Sequence, residues 1–286
     1  MAERIGPRRN ATAAKVAGVD DRKKTPWVAL GIAGVVVVAI VAFLLNDPNK
    51  GERDFGKALS SEESRKVPTA RGQRGQTKLP DSSTVRLAPE TMLTIPPKGH
   101  RGAGIEGAAH FVVAPDSVSF RVRSRKVGVE TKTGTLAVTS YPEDKEVFVK
   151  ALEGALTVHP NVDAKETVEL AVGPGMAINE AGVTRMLTQP ESDAAFAWVD
   201  GSYSLNAVPL VGTIPILQRW YNTPVSLADK SLDARPVTAM LKLDSSKDAL
   251  DAIQAAASVH ITFKGDTLTL ADGAPPAVPV VKKKGK

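Results

Sequence analysis

"QRGQTKLPDSSTVRLAPETMLTIP", residues Gln73–Pro96, is the stretch that decides the fold. Leu79, Val85 and Leu87 alternate with Lys78, Thr84 and Arg86, the period of a strand with one buried face. Pro80-Asp81-Ser82-Ser83 supplies the turn: proline presets φ, and Asp and Ser side chains bond their own backbone. The stretch therefore predicts two or three very short strands, and it holds no nucleophile, metal cluster or phosphate cradle.

The same patterning continues outward for about a hundred residues. In "SVSFRVRS" Val118, Phe120 and Val122 share one face, opposite Ser119, Arg121 and Arg123. "KEVFVKALEGALTVHP" predicts a strand around Val147–Val149, a Glu153-Gly154 turn, and a second strand through Leu156 and Val158. "ELAVGPGMAINEAG" predicts another pair around Gly173-Pro174-Gly175. No amphipathic helix is legible between Arg71 and Thr188. Short strands at near-regular spacing imply an all-β unit over residues 71–190, as a sandwich, a barrel or a solenoid.

Residues 191–271 change character. A strand over Ser202–Asn206 leads into a helical stripe of Leu210, Ile214, Leu217 and Tyr221, in which Pro215 should kink the helix or move its start to Ile214. Val237, Ala239, Leu241 and Leu243 alternate again. Ser245 with Asp248 has the spacing of a capping box, and Leu250, Ile253 and Ala257 form the buried face of the following helix. Val259, Ile261 and Phe263 then alternate before a Lys264-Gly265-Asp266 turn. The order βαβ-βαββ defines a small α+β domain. Residues 272–286, rich in Pro and Lys, read as a flexible tail.

On the N-terminal side, Trp27 to Leu45 ("WVALGIAGVVVVAIVAFLL", with Val36 at its centre) holds no charge. Its length, at about 1.5 Å per residue, comes to about 30 Å, one hydrocarbon core. Trp27 stands where an interfacial aromatic belongs. The run is longer than a signal peptide's apolar region and ends without small residues, so it reads as an uncleaved N-terminal transmembrane helix. Arg22-Lys23-Lys24 lie directly before it, which puts the basic segment 1–26 in the cytosol and everything after Leu45 outside. Residues 46–70, polar and of mixed charge, read as a juxtamembrane linker with room for one short helix.

The net charge of +6 in 286 residues, with a pI near 9.4, would invite a nucleic-acid reading. The excess is concentrated at the two ends, however, and no nucleic-acid motif accompanies it, so no nucleic-acid partner is expected. The absence of cysteine excludes disulfides, thiolate catalysis and Cys-bound metals. His100, His110, His159 and His260 lie far apart with no ligand-like spacing. The expectation is a chain with no catalytic residue, cofactor or metal.

"RGQRGQTKLPDSSTVRLAPETML", "IEGAAHFVVAPDSVSFRVRS", "VFVKALEGALTVHP" and "VELAVGPGMAI", in that order, resemble the FecR family, over about 110 residues. That family consists of single-span inner-membrane regulators of Gram-negative bacteria. Their periplasmic part senses an outer-membrane receptor, and they control an extracytoplasmic-function sigma factor. Two positions depart from its pattern: Ser82 where the family usually has Gly, and Gly107-Ala108-Ala109-His110-Phe111, which lacks the family's acidic residue.

The α+β segment looks like the secretin and TonB short N-terminal domain (STN), with "LQRWYN" (Leu217–Asn222) its most family-like patch. Trp220, Tyr221 and Asn222 in that patch are candidate partner-binding residues, and Trp198, Trp220 and Tyr221 could form a ligand platform; an aromatic ending an apolar helix stripe is also an ordinary core position. The FecR resemblance implies an inner-membrane protein with periplasmic domains, and as partners an envelope or outer-membrane receptor and a sigma factor or a separate anti-sigma protein. Residues 1–26 hold only Met1, Ile5, Val16 and Val19 as large apolar residues, without helical spacing. Such a segment is too poor in apolar surface to fold alone. Any effect on a sigma factor is therefore expected to be indirect, through a separate anti-sigma protein; the alternatives are a segment that folds only on its partner, or an envelope scaffold built from the same domains with no sigma factor involved.

Overall fold

A computed structural model describes residues 50–264 and 267–273. The predicted span at Trp27, Val36 and Leu45, the basic segment before it and the tail from residue 274 lie outside them. Among the described residues no helix is long and apolar enough to cross a membrane.

Thirteen strands form one continuous hydrogen-bonded sheet that folds back on itself. Strand β5 (Gly102–Val113) is the crease. Its first half pairs with β4 (Met92–Ile95) and, in parallel, with β6 (Phe120–Ser124). Its second half pairs with β3 (Thr84–Leu87) and β8 (Gly134–Ser140). Between the halves stands Gly107 at φ +110°, where a Cβ would lie 2.5 Å from Thr91 Oγ1.

One layer continues through β6, β7 (Val127–Thr131), β10 (Ala155–His159) and β11 (Val168–Ala171), with β1 (Arg65–Pro68) beside β4. The other continues through β8, β9 (Glu146–Glu153), β12 (Met176–Asn179) and β13 (Thr184–Met186), with β2 (Gly75–Lys78) beside β3. Val85, Leu87, Phe111, Leu136 and Val149 of one layer and Leu93, Ile105, Phe120, Val129 and Leu156 of the other form a single core. Of the three architectures left open by the sequence, the layers make a two-sheeted sandwich. Hairpins are laid alternately on its two faces.

The turns at Glu153-Gly154 and Gly173–Gly175 are where expected, but neither closes a hairpin. They are corners, carrying the chain from β9 to β10 and from β11 to β12, strands of opposite layers. Val118 departs from its expected face: it precedes β6 and is 57% exposed, while Phe120 and Val122 are buried.

In the opening stretch Leu79, Val85 and Leu87 are all buried. Ser83 N–H donates to Asp81 Oδ1 (3.1 Å), and Ser82 adopts φ +74°. That left-handed conformation explains why glycine suits the position, since a Cβ there costs about 1–2 kcal/mol. Ser82→Gly is expected to be neutral or to stabilise by up to about 0.5 kcal/mol, glycine's extra unfolded freedom offsetting part of the relief; urea denaturation measures it.

Each layer has its outer face covered by a helix. Helix α1 (Lys50–Leu59) lies on the layer containing β6 and β7, burying Glu52, Phe55 and Ala58. The segment expected as a linker thus contributes this helix and strand β1 to the β fold. Helix α2 (Gln189–Phe196) covers the other layer. It starts from a Thr188–Glu191 capping box and continues into a 3-10 turn over Ala197–Asp200.

The C-terminal domain follows the predicted order: β14 (Ser202–Pro209), α3 (Leu210–Tyr221), β15 (Val225–Leu227), β16 (Pro236–Lys242), α4 (Ser246–Ala257), β17 (Val259–Lys264), β18 (Thr267–Asp272). β14 pairs with β16, and β18 lies between β15 and β17. Leu205, Leu210, Leu217, Val237, Leu241, Ile253 and Leu270 fill its core. Helix α3 starts at Leu210 and runs through Pro215 rather than starting at Ile214. Pro215 denies a partner to the carbonyl of Val211, a residue 45% exposed, so water can reach it. In α4, Ser245 caps Asp248 N–H as expected, and Ala249 rather than Leu250 completes the buried face.

Candidate functional site

The two domains meet over the outer face of the layer that carries β8 and β9. Leu243 and Trp220 of the C-terminal domain, Trp198 of the 3-10 turn, and Ala88, Ala108 and Tyr141 of the β domain form one buried cluster. Trp198 Nε1 donates to Thr139 Oγ1 (3.2 Å), which donates in turn to the Ala195 carbonyl (3.1 Å). The Tyr203 and Trp220 rings are 6.3 Å apart and tilted.

Arg219 is the polar centre. Its guanidinium lies 3.7 Å from the Tyr141 ring centroid, its Nε donates to Glu90 Oε2 at 3.0 Å, and its Nη2 pairs with Glu143. Its carbonyl accepts from Gly72 N–H at 2.7 Å. Arg74 Nη2 donates to the Leu243 carbonyl at 2.6 Å, a second tie between the domains. Gly72 has φ +68°, and a Cβ there would lie 3.0 Å from Asn222 Cβ, so glycine permits this approach.

Burial pushes the Glu90 carboxyl up, but hydrogen bonds from Arg71 and Arg219 outweigh it and hold it below the usual carboxylate range. Burial raises the Tyr141 hydroxyl, which donates to the Pro89 carbonyl (3.1 Å), and it also raises Asp144, which accepts from Tyr141 N–H. A lowered carboxyl adds stability above its unfolded value that is lost as pH falls through the folded one. Acidification below about pH 4.5 is therefore expected to loosen the joint, with Glu90→Gln showing a weaker acid dependence in pH-resolved thermal unfolding.

A cavity of about 290 Å³ lies in the joint, walled by Tyr141, Phe148, Trp198, Tyr203, Arg219 and Trp220. Of the residues expected to meet a partner, Trp220 is 4% exposed inside this joint, so it cannot touch a partner unless the joint opens. Tyr221 is half-buried, its hydroxyl donating to the Lys242 carbonyl. Asn222 ends α3 in the left-handed conformation at φ +51°, against Gly72. Trp220 takes the core reading of the two open to it, whereas Tyr221 is half-buried and Asn222 exposed.

Of the histidines, His110 is 6% exposed; its Nδ1 accepts from Arg86 Nε at 3.3 Å, and burial brings it down to about 4. His159 comes together with Glu52 and Glu130, their donor atoms lying within 4.8 Å of one another. Sequence spacing gave no sign of that cluster, whose members stand far apart along the chain.

An all-β sandwich and a small α+β domain are thus joined through an aromatic–arginine cluster into a two-domain body. The FecR protein family model matches residues 65–157 and the FecR C-terminal model matches residues 202–270, so the chain belongs to the FecR family. The second match falls on the segment likened to STN. Two crystal structures of a protein from Parabacteroides distasonis ATCC 8503, described as a candidate anti-sigma factor, share this fold. The 2.50 Å structure superimposes with a TM-score of 0.59 and 22% identity, over 74% of this chain and 100% of its own. The 1.65 Å structure has the same score and identity, over 73% and 100%. At that identity the likeness speaks to fold alone. Comparison with curated proteins gives no match.

Proposed function

We propose that this chain is a membrane-tethered anti-sigma regulator of the FecR kind, a binding protein and not an enzyme. Residues 27–45 span the inner membrane, and the two-domain body stands in the periplasm, where it takes up the state of an envelope protein. The span passes that state inward to a sigma factor, by way of a separate cytosolic protein.

The observation that carries this reading is the joint. FecR and FecR C-terminal domains follow each other on one chain, and Arg219, Tyr141 and Trp220 tie them into a single body. A contact made on either domain is thereby felt at the other. The fold shared with the candidate anti-sigma factor supports the assignment. No nucleic acid enters the reading.

Topology tests it. Alkaline phosphatase joined after Lys286 should be active, and a fluorescent protein that matures only in the cytosol should be dark there. The reverse result would overturn the periplasmic placement and the receptor with it.

A further inference from the structure

Helix α1 lies in a bed made for it. Glycines on the outer face of the sandwich meet its side chains: a Cβ on Gly102, besides clashing with the Arg121 carbonyl oxygen at 1.9 Å, would lie 2.8 Å from Phe55 Cζ, one on Gly104 3.2 Å from Leu59 Cδ1, and one on Gly128 2.9 Å from Glu52 Oε2. The arrangement is reciprocal, since a Cβ on Gly51 or Gly56 would crowd the guanidinium of Arg121 or Arg123. Glycines on both partners bring helix and sheet closer than side chains would otherwise allow.

Into this dock α1 carries one carboxylate. Glu52 is 2% exposed, and neither of its oxygens has a hydrogen-bond partner. Arg121 Nε lies 3.1 Å from Glu52 Oε1, but its single N–H is donated to Glu130 Oε1 at 2.9 Å. His159 Nε2 is 3.6 Å from Glu130 Oε1, and Arg123 Nη1 donates to the Glu52 carbonyl. The other charged groups of α1, Lys50, Arg53, Asp54 and Lys57, are not on its buried face. Two carboxylates thus converge on one guanidinium N–H out of water, and both cannot ionise there at little cost.

We propose that α1 is a proton-linked clasp: it docks on the sandwich with one proton shared between Glu52 and Glu130, and detaches when that proton is lost. Burial, then the Glu130 carboxylate beside it, raise the Glu52 carboxyl, whereas His159 first, then Arg121, bring the Glu130 carboxyl down. Once α1 lifts away, Glu52 returns to water and to the ordinary carboxylate range. Docking therefore takes up a proton, and it weakens as pH rises out of that range toward the docked value. A bound divalent cation fits the cluster less well, because the Arg121 guanidinium already occupies its positive side.

On the membrane reading, which the clasp itself does not need, release changes reach. Residues 46–49 alone separate the apolar run from the docked helix, a span of at most about 14 Å. With α1 free, residues 46–64 extend the tether to as much as about 65 Å.

The test is hydrogen exchange on the full chain in detergent, at about pH 5 and about pH 8, read as protection factors for the amides of Asp54–Leu59. Wild type should lose about tenfold in protection for each pH unit by which docking raises Glu52. Glu52→Gln, which replaces the shared proton with an N–H donor, should stay protected at both pH values. Strands β8 and β9 should be unchanged throughout. Equal wild-type protection at both pH values would overturn the clasp. So would a Glu52→Gln variant as unprotected as Phe55→Ala, or one in which β8 and β9 lose protection as well. Zinc that restores α1 protection at the higher pH in wild type, but not in Glu52→Gln, would replace the proton with a metal and overturn it too.

Discussion

Trp220→Ala is expected to cost about 3–5 kcal/mol and to split one unfolding transition into two. Trp220 is 4% exposed and touches both sides of the joint: Tyr203 and Leu243 belong to its own domain, Tyr141, Ala88 and Ala108 to the β domain. Its removal leaves a void beside the cavity already present, so little can collapse to fill it. Each domain keeps a core of its own, with Phe111 and Leu136 central to one and Leu217 and Leu241 to the other. Scanning calorimetry should show a single cooperative endotherm for wild type and two for the variant. An unchanged single endotherm would mean that the joint does not couple the domains.

Leu217→Ala should act on one domain alone, at about 2–5 kcal/mol. Leu217 is 1% exposed and packs only within the C-terminal core, one turn before the joint. In hydrogen exchange β14, β16, β17 and β18 should lose protection, while β8 and β9 hold theirs. If both sets of strands lose protection to the same extent, the two cores are not separate units.

The sequence made the strand content legible because alternation reports which side chains turn inward. Leu79, Val85, Leu87, Phe120, Val122, Leu156 and Val158 were all read correctly from that period. Alternation does not report which strand lies alongside. The corners at Gly154 and Gly173–Gly175 looked like hairpin turns because glycine serves both, and only pairing reveals that the chain changes layers there.

The short helix allowed for in residues 46–70 is α1, but its docking on the sandwich was hidden for a different reason. Its buried face is Glu52, Phe55 and Ala58, and a glutamate in a buried position reads as solvent-facing. The floor of glycines that receives it gives no hydrophobic signal. The joint was half legible. Trp220 ended an apolar stripe and was open to a core reading, but its neighbours Tyr141 and Trp198 come from segments whose approach depends on the tertiary fold. Arg219 lies in the family-like LQRWYN patch but gave no sign of its role as the polar centre, since a basic residue in the last turn of a helix is ordinary.

The measurement that bears most directly on the regulator reading is crosslinking in living cells. A photo-crosslinking residue placed within residues 1–26 of the full chain would be activated, the chain purified, and its bound proteins identified, with transcripts compared in cells that lack the chain. The expected result is a cytosolic protein captured together with an extracytoplasmic-function sigma factor, and a change in the transcripts that factor controls. Recovery of envelope proteins alone, with those transcripts unchanged, would contradict the regulator and leave a scaffold.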